Sequence, residues 1–208
     1  MFSLSDHDLE KSILGCGDGP ASFNAELSQK GGTVVSVDPI YKFSAMDIRS
    51  RIKQAYSQVL EQVSLHKEDF VWKTIPSVEA LGQIRMNAME LFLEDYGQVK
   101  TNHRYIAASL PQLPFDDKSF EIALCSHYLF LYSNHANLEH HLSSMKELCR
   151  VANEVRVYPL LSITDNQESP HLTTVISELK AEGIYVSLNE VDYEFQKGAT
   201  KMLVAKAG

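Results

Sequence analysis

Apolar positions along the chain change their spacing several times, and each change marks an element. Ile13-Leu14 is a short apolar run after Ser12 that stops at Gly15. Residues 20–30 read as a helix: Pro20 suits the first helical position, Phe23 and Leu27 share a face, and Gly31-Gly32 ends it. Thr33-Val34-Val35-Ser36-Val37 is β-branched and halts at Asp38-Pro39, which predicts a strand with a hard stop. Ile48, Ile52, Tyr56, Val59 and Val63 recur at three- and four-residue intervals and predict a helix over 46–63.

The stretch 66–101 is less regular. Phe70-Val71-Trp72 fits a strand fragment or a docked loop, and Ser77 caps a helix expected to run to Tyr96 with Gly97 as its stop. Strands are then predicted at 104–107, 120–126 and 154–158, with a helix over 138–151. The last helix should start at Ser169-Pro170, carry Leu172, Val175, Ile176 and Leu179 on one stripe, and close at Gly183. Residues 184–195 and 200–205 read as an antiparallel pair. Strands alternating with helices imply an α/β fold, a mostly parallel sheet covered on both faces. Such sheets bind ligands beyond the carboxyl ends of their strands.

Composition narrows the function classes. A chain of 208 residues suits one domain, over 1–208, that buries roughly 70% of its unfolded surface without a metal or disulfide staple. Its net charge of −8 gives no strong nucleic-acid signal. No apolar run approaches the ~20 residues of a membrane span, so no membrane partner is expected. Three cysteines without a Cys-x-x-Cys pair suit a reducing, cytoplasmic compartment. Oligomeric state is not readable from the sequence.

Gly15-Cys16-Gly17-Asp18-Gly19 follows a predicted strand and opens a predicted helix. Its glycines permit a sharp turn and a close approach of a ligand to the main chain. Asp38 ends the next strand nineteen residues after Gly19, where a carboxylate can accept both hydroxyls of a ribose. A dinucleotide fingerprint needs a glycine where Pro20 stands, which disfavours an NAD(P)-dependent oxidoreductase.

With these motifs the chain resembles the class I S-adenosylmethionine-dependent methyltransferases. Ile13-Leu14-Gly15-Cys16-Gly17-Asp18-Gly19 resembles the family's first motif and Val35-Ser36-Val37-Asp38 its second. The segment 113–124 resembles the run into the family's fourth strand, and 140–158 the helix and strand after it. The stretches 17–24 and 154–160 look closer to a bacterial methyltransferase-like subgroup. The resemblance implies a Rossmann-like sheet of seven strands in the order 3-2-1-4-5-7-6, the seventh antiparallel. It implies S-adenosylmethionine as cofactor, with Gly15, Cys16, Gly17, Asp18 and Gly19 at the methionine part and Asp38 at the ribose. Pro39 and Ile40 would lie against adenine, Ser109 and the Leu110 N–H at its edge, and Ser126 and His127 beside the sulfonium and acceptor. Two positions depart from the family pattern: Ile13 replaces an acid that helps bind the cofactor's ammonium group, and Ser109 replaces an aspartate. Losing two charge-assisted hydrogen bonds costs about two to four decades of affinity. A non-catalytic binding module of the same fold is therefore the first alternative to a methyltransferase acting on a small-molecule substrate.

Methyl transfer needs a positioned nucleophile and, for a hydroxyl or ammonium, a base. His127 and Tyr132 are the catalytic candidates, with Tyr128 and Phe130 as further pocket walls or core. His140 and His141 diverge by about 100° on a helix and cannot share an ion as an i, i+4 pair would, so no metal is expected. Cys16 would be reactive only if a helix end lowered its pKa. The 66–101 insertion is a candidate lid over the pocket, with Trp72, Arg85 and Met89 toward substrate. Arg85, among apolar neighbours, should seek an anionic group.

Overall fold

A computed structural model describes residues 1–98 and 103–206. The seven strands are β1 (Ser12–Cys16), β2 (Thr33–Val37), β3 (Tyr105–Ile106), β4 (Phe120–Ser126), β5 (Ala152–Tyr158), β6 (Tyr185–Glu190) and β7 (Lys201–Lys206). They form one sheet in the order β3-β2-β1-β4-β5-β7-β6. Pairings from β3 to β5 are parallel, and β7 runs antiparallel to both β5 and β6. This is the strand order of the Rossmann-like methyltransferase fold expected from the motifs. Cys16 pairs with Val37 on one side and Cys125 on the other, so the loops leaving β1, β2 and β4 open on one edge.

Helices α1 (Asp6–Leu9), α2 (Phe23–Gln29), α3 (Ala45–Leu65), α4 (Val78–Gln98), α5 (Leu138–Val151) and α6 (Leu172–Ala181) surround the sheet. The central strands are apolar on both sides because both faces are covered. Ala123, Cys125, Val155 and Val157 pack with Met145 and Leu148 of α5 and Val175 and Leu179 of α6. Ile13, Ile122, Leu124 and Tyr158 belong to a second cluster with Phe2 and Leu27.

Several element boundaries differ from the sequence pattern. Helix α2 begins at Phe23 rather than at Pro20. The Gly19 N–H is held by Asp38 at 2.9 Å and the Gly19 carbonyl by the Tyr41 hydroxyl at 2.8 Å, which keeps this part of the chain out of helical geometry. Helix α4 runs through Gly97 to Gln98. A glycine ends a helix only by turning left-handed, and Gly97 does not. The last turns of α4 are anchored instead, because the Tyr96 hydroxyl donates to the carbonyls of Tyr41 and Phe43 at 2.7 and 2.8 Å. The far end of the predicted insertion, 99–101, lies outside the described residues.

Helix α6 starts at Leu172, and Ser169 acts one turn earlier, accepting the His171 N–H and the Ser133 hydroxyl. Strand β6 stops at Glu190, and residues 191–200 leave the sheet to meet the insertion. There the Val71 N–H donates to the Phe195 carbonyl at 2.7 Å, and the Phe70 ring stacks on Phe195 with centroids 4.9 Å apart. Residues 70–72 are thus a docked loop that carries the insertion from the β2 side to the far end of the sheet.

Candidate functional site

The glycine loop is built largely from close approaches inside the protein. A side chain on Gly15 would meet the Asp18 carboxylate at 1.9 Å, and one on Gly17 would meet the Tyr128 ring at 2.9 Å. Gly17 and Gly19 both take left-handed backbone, φ +70 and +58. Only Gly19 of the three faces open space. Gly15 and Gly17 are thus required by packing within the protein, while Gly19 leaves space beside its backbone.

Asp38 is the junction of the site. It caps the short 3-10 turn Pro39–Lys42, taking the Ile40 N–H on one carboxylate oxygen at 2.9 Å and the Gly19 N–H on the other at 2.9 Å. Its half-burial raises its pKa, against those two N–H bonds. A carboxylate has about four lone-pair positions, so these two N–H groups leave two of them unused. Proline at the first position of the turn gives up no hydrogen bond and fixes φ, which explains Asp38-Pro39 locally.

Asp18 does not reach toward a ligand from the place left by Ile13. Ile13 itself is fully buried in the sheet. Asp18 turns inward and accepts the Ser36 hydroxyl at 2.6 Å. Burial, with Asp38 nearby, raises its pKa to about 6 despite that bond. Behind Ser36 a polar chain continues through the Asn24 amide to Arg104 Nη1, while Arg104 Nη2 reaches both Asp95 carboxylate oxygens at 2.7 Å. Nothing in the sequence marked Ser36, Asn24, Arg104 and Tyr41 as supports of the loop, since their partners lie up to 80 residues away.

Cys16 is buried and its thiol pKa is pushed well up, first by burial, so the helix-end activation considered for it is overturned. Ser109 is exposed, and Leu110 is 4% exposed and part of the core. Ser126 and His127 sit together at the end of β4, with the Ser126 hydroxyl 2.8 Å from His127 Nδ1. The His127 backbone is left-handed, φ 51, and its N–H is fixed by the Tyr158 carbonyl at 2.8 Å. Desolvation, then the Arg85 guanidinium and the chain's amino group, lowers the His127 pKa to about 4. The ring is therefore neutral at pH 7, suited to accepting a hydrogen bond and weak as a proton acceptor.

Tyr132 is on the connection from β4 to α5, lining a separate cavity of about 400 Å³ with Tyr128, His135 and His140. No hydrogen bond joins Tyr132 to His127 among the described residues. Phe130 is core, and His141 is buried with its ring nitrogens against the carbonyls of Asn137 and Leu129. Among the described residues no group of three or more His, Cys, Asp or Glu stands ready for a metal ion. Arg85 and Met89 line a larger cavity of about 590 Å³ between α3 and α4, which Pro20 and Ile40 join to the glycine loop and the Asp38 turn. Trp72 lies elsewhere, its ring edge-on to Phe195 at 5.5 Å and its N–H donating to the Lys67 carbonyl.

No protein-family model matches the chain. A protein of Methanocaldococcus jannaschii described as "Uncharacterized protein MJ0045" is 32% identical over 208 residues, spanning 99% of this chain and 90% of that protein. This relative is archaeal, so the bacterial subgroup suggested by two short stretches finds no support in it. Magnesium protoporphyrin IX methyltransferase from Synechocystis with bound SAM is 13% identical, with a TM-score of 0.47 over 98% of this chain and 73% of that one. A SAM-dependent methyltransferase from Methanosarcina mazei is 12% identical, with a TM-score of 0.44 over 95% and 92%. These structural likenesses are too loose to argue from, and the strand order stands on its own. No helix among the described residues is long and apolar enough to cross a membrane.

Proposed function

Because the chain, of the same family as the uncharacterized protein MJ0045 of Methanocaldococcus jannaschii, carries its own glycine loop and Asp38 on the methyltransferase strand order, we propose that it binds S-adenosylmethionine and transfers the methyl group to a small-molecule acceptor. One observation carries the reading: Asp38 is held by two backbone N–H groups at the loop junction, with two lone pairs left for a ribose diol. The residues suit the cofactor, with Ile40 beside Asp38 for its adenosine half and open space at Gly19 for its methionine part. When bound, the sulfonium supplies an electrophilic methyl group. Ser126 and His127 at the end of β4 would orient the reacting end of the acceptor, and the insertion would screen it from water as a lid.

The second reading, a binding module without turnover, is favoured by three features. Ile13 is buried where an acid is usual, Asp18 is committed to Ser36, and His127 is a weak base. Calorimetric titration with S-adenosylhomocysteine and with NADH tests the cofactor. The former should bind and the latter should not. Asp38→Asn should weaken S-adenosylhomocysteine by about tenfold or more, because hydrogen bonds to a charged group contribute about 1.5–3 kcal/mol. Undiminished affinity in that variant, or preference for NADH, would end the proposal. Binding without methyl transfer across a broad acceptor panel would favour the module.

A further inference from the structure

Helices α3 and α4 are fastened at one end by the cluster in which Ile48 of α3 joins Phe92, Leu93 and Tyr96 of α4, and by the Arg49–Glu90 ion pair. Elsewhere along them they part around the cavity of about 590 Å³. Its walls are apolar, formed by Ile40, Ile48, Ile52, Val59, Leu60 and Met89. Arg51, Arg85 and Tyr56 add polar groups. Arg49, Arg104, Arg150 and Arg156 each pair with a carboxylate, whereas Arg51 and Arg85, both exposed where they line the cavity, form no ion pair among the described residues. Asp47 shares the rim, but its carboxylate accepts the hydroxyl and N–H of Ser44. The lining thus carries a net positive charge in a chain whose net charge is −8.

A missing side chain shapes one wall. A methyl group on Gly82 would lie 2.6 Å from the Tyr56 hydroxyl oxygen and 2.9 Å from Leu60 Cδ1. Tyr56 and Leu60 therefore rest directly on the α4 backbone, and the space beside them stays open.

We propose that this cavity is the acceptor site and takes an organic acid with a bulky apolar body, its anionic head held by Arg51 and Arg85. Ligand pockets of this volume are mostly apolar with a few polar groups that fix orientation, and guanidinium forks match carboxylate, sulfonate or phosphate oxygens. The acceptor role rests on the methyltransferase reading, through Pro20 and Ile40, which the cavity shares with the cofactor loops. The ligand class does not depend on that reading.

Two fluorescent probes with the same rings test the ligand class: anilinonaphthalenesulfonate, an anion, and phenylnaphthylamine, its uncharged counterpart. The wild-type protein should bind the anion one to one and about tenfold or more tighter than the neutral probe. The double variant Arg51→Gln, Arg85→Gln should abolish that preference and leave the neutral probe unchanged. Gly82→Ala, which pushes Tyr56 and Leu60 into the space, should weaken both probes. Equal affinity for the two probes, a preference that survives the double replacement, or unaltered binding in Gly82→Ala overturns the proposal. S-adenosylhomocysteine is titrated on the same samples. Probe binding as described without cofactor binding removes the acceptor role and keeps the ligand class, while cofactor binding without a probe preference removes this proposal alone.

Discussion

Replacing Asp18 by Asn should change how stability depends on pH. Asp18 lies against Gly15, accepts the Ser36 hydroxyl at 2.6 Å, and has its pKa raised from 3.8 to about 6, first by burial. A carboxyl with a raised pKa in the folded protein prefers its protonated form there. Below the unfolded value both states hold the proton and its contribution to stability is fully present. As pH climbs from 3.8 toward 6 the unfolded chain ionises first, and stability falls until the folded group ionises too. The whole shift corresponds to about 3 kcal/mol, of which a part is already lost by about pH 4. Asparagine keeps an oxygen for Ser36 and never ionises. Urea unfolding of both proteins at about pH 4 and about pH 7.5 measures the contrast. The variant's advantage over the wild type should grow by roughly 2 kcal/mol between the two conditions. An advantage that is the same at both would mean that Asp18 is solvated, and the account of the loop would be wrong.

Gly17→Ala should destabilise more than Gly19→Ala. Both positions carry the cost of about 1–2 kcal/mol for a left-handed residue with a side chain, but only at Gly17 does the new methyl group meet the Tyr128 ring. Tyr128→Ala should narrow the gap, and equal melting temperatures for the two glycine variants would refute the contact. Arg156→Ala should cost about 3 kcal/mol or more, because Arg156 joins Asp8 at 3.0 Å, Glu154 at 2.6 Å and the Phe2 carbonyl at 2.9 Å from a nearly buried position. Chemical denaturation measures it, and a loss under about 1 kcal/mol would place the cluster among ordinary surface pairs.

Hydrophobic period and turn chemistry determined the element types and several boundaries: the strand Phe120–Ser126, the helix Leu138–Val151 and the stop at Asp38 were readable because each depends on residues adjacent in the chain. The glycine loop and Asp38 were readable for the same reason, and the resemblance they carry implied the strand order. Tertiary structure decided the rest. Pro20 and Ser169 are helix starters by local rules, yet contacts made by Gly19 and Ser169 hold the chain out of the helix at both places. Gly97 is a stop signal that α4 passes, its last turns anchored by Tyr96. The need for glycine at 15 and 17 set by Asp18 and Tyr128 was not readable, because Tyr128 lies far along the chain and Asp18 turns inward only in the packed protein. Arg85 and Met89 were singled out in the sequence, but the α3–α4 cavity they line was not, because whether two helices close or part depends on how their side chains meet. Local pattern records what a residue does to its own backbone. Which distant group then fills the space beside it is decided only when the chain is packed.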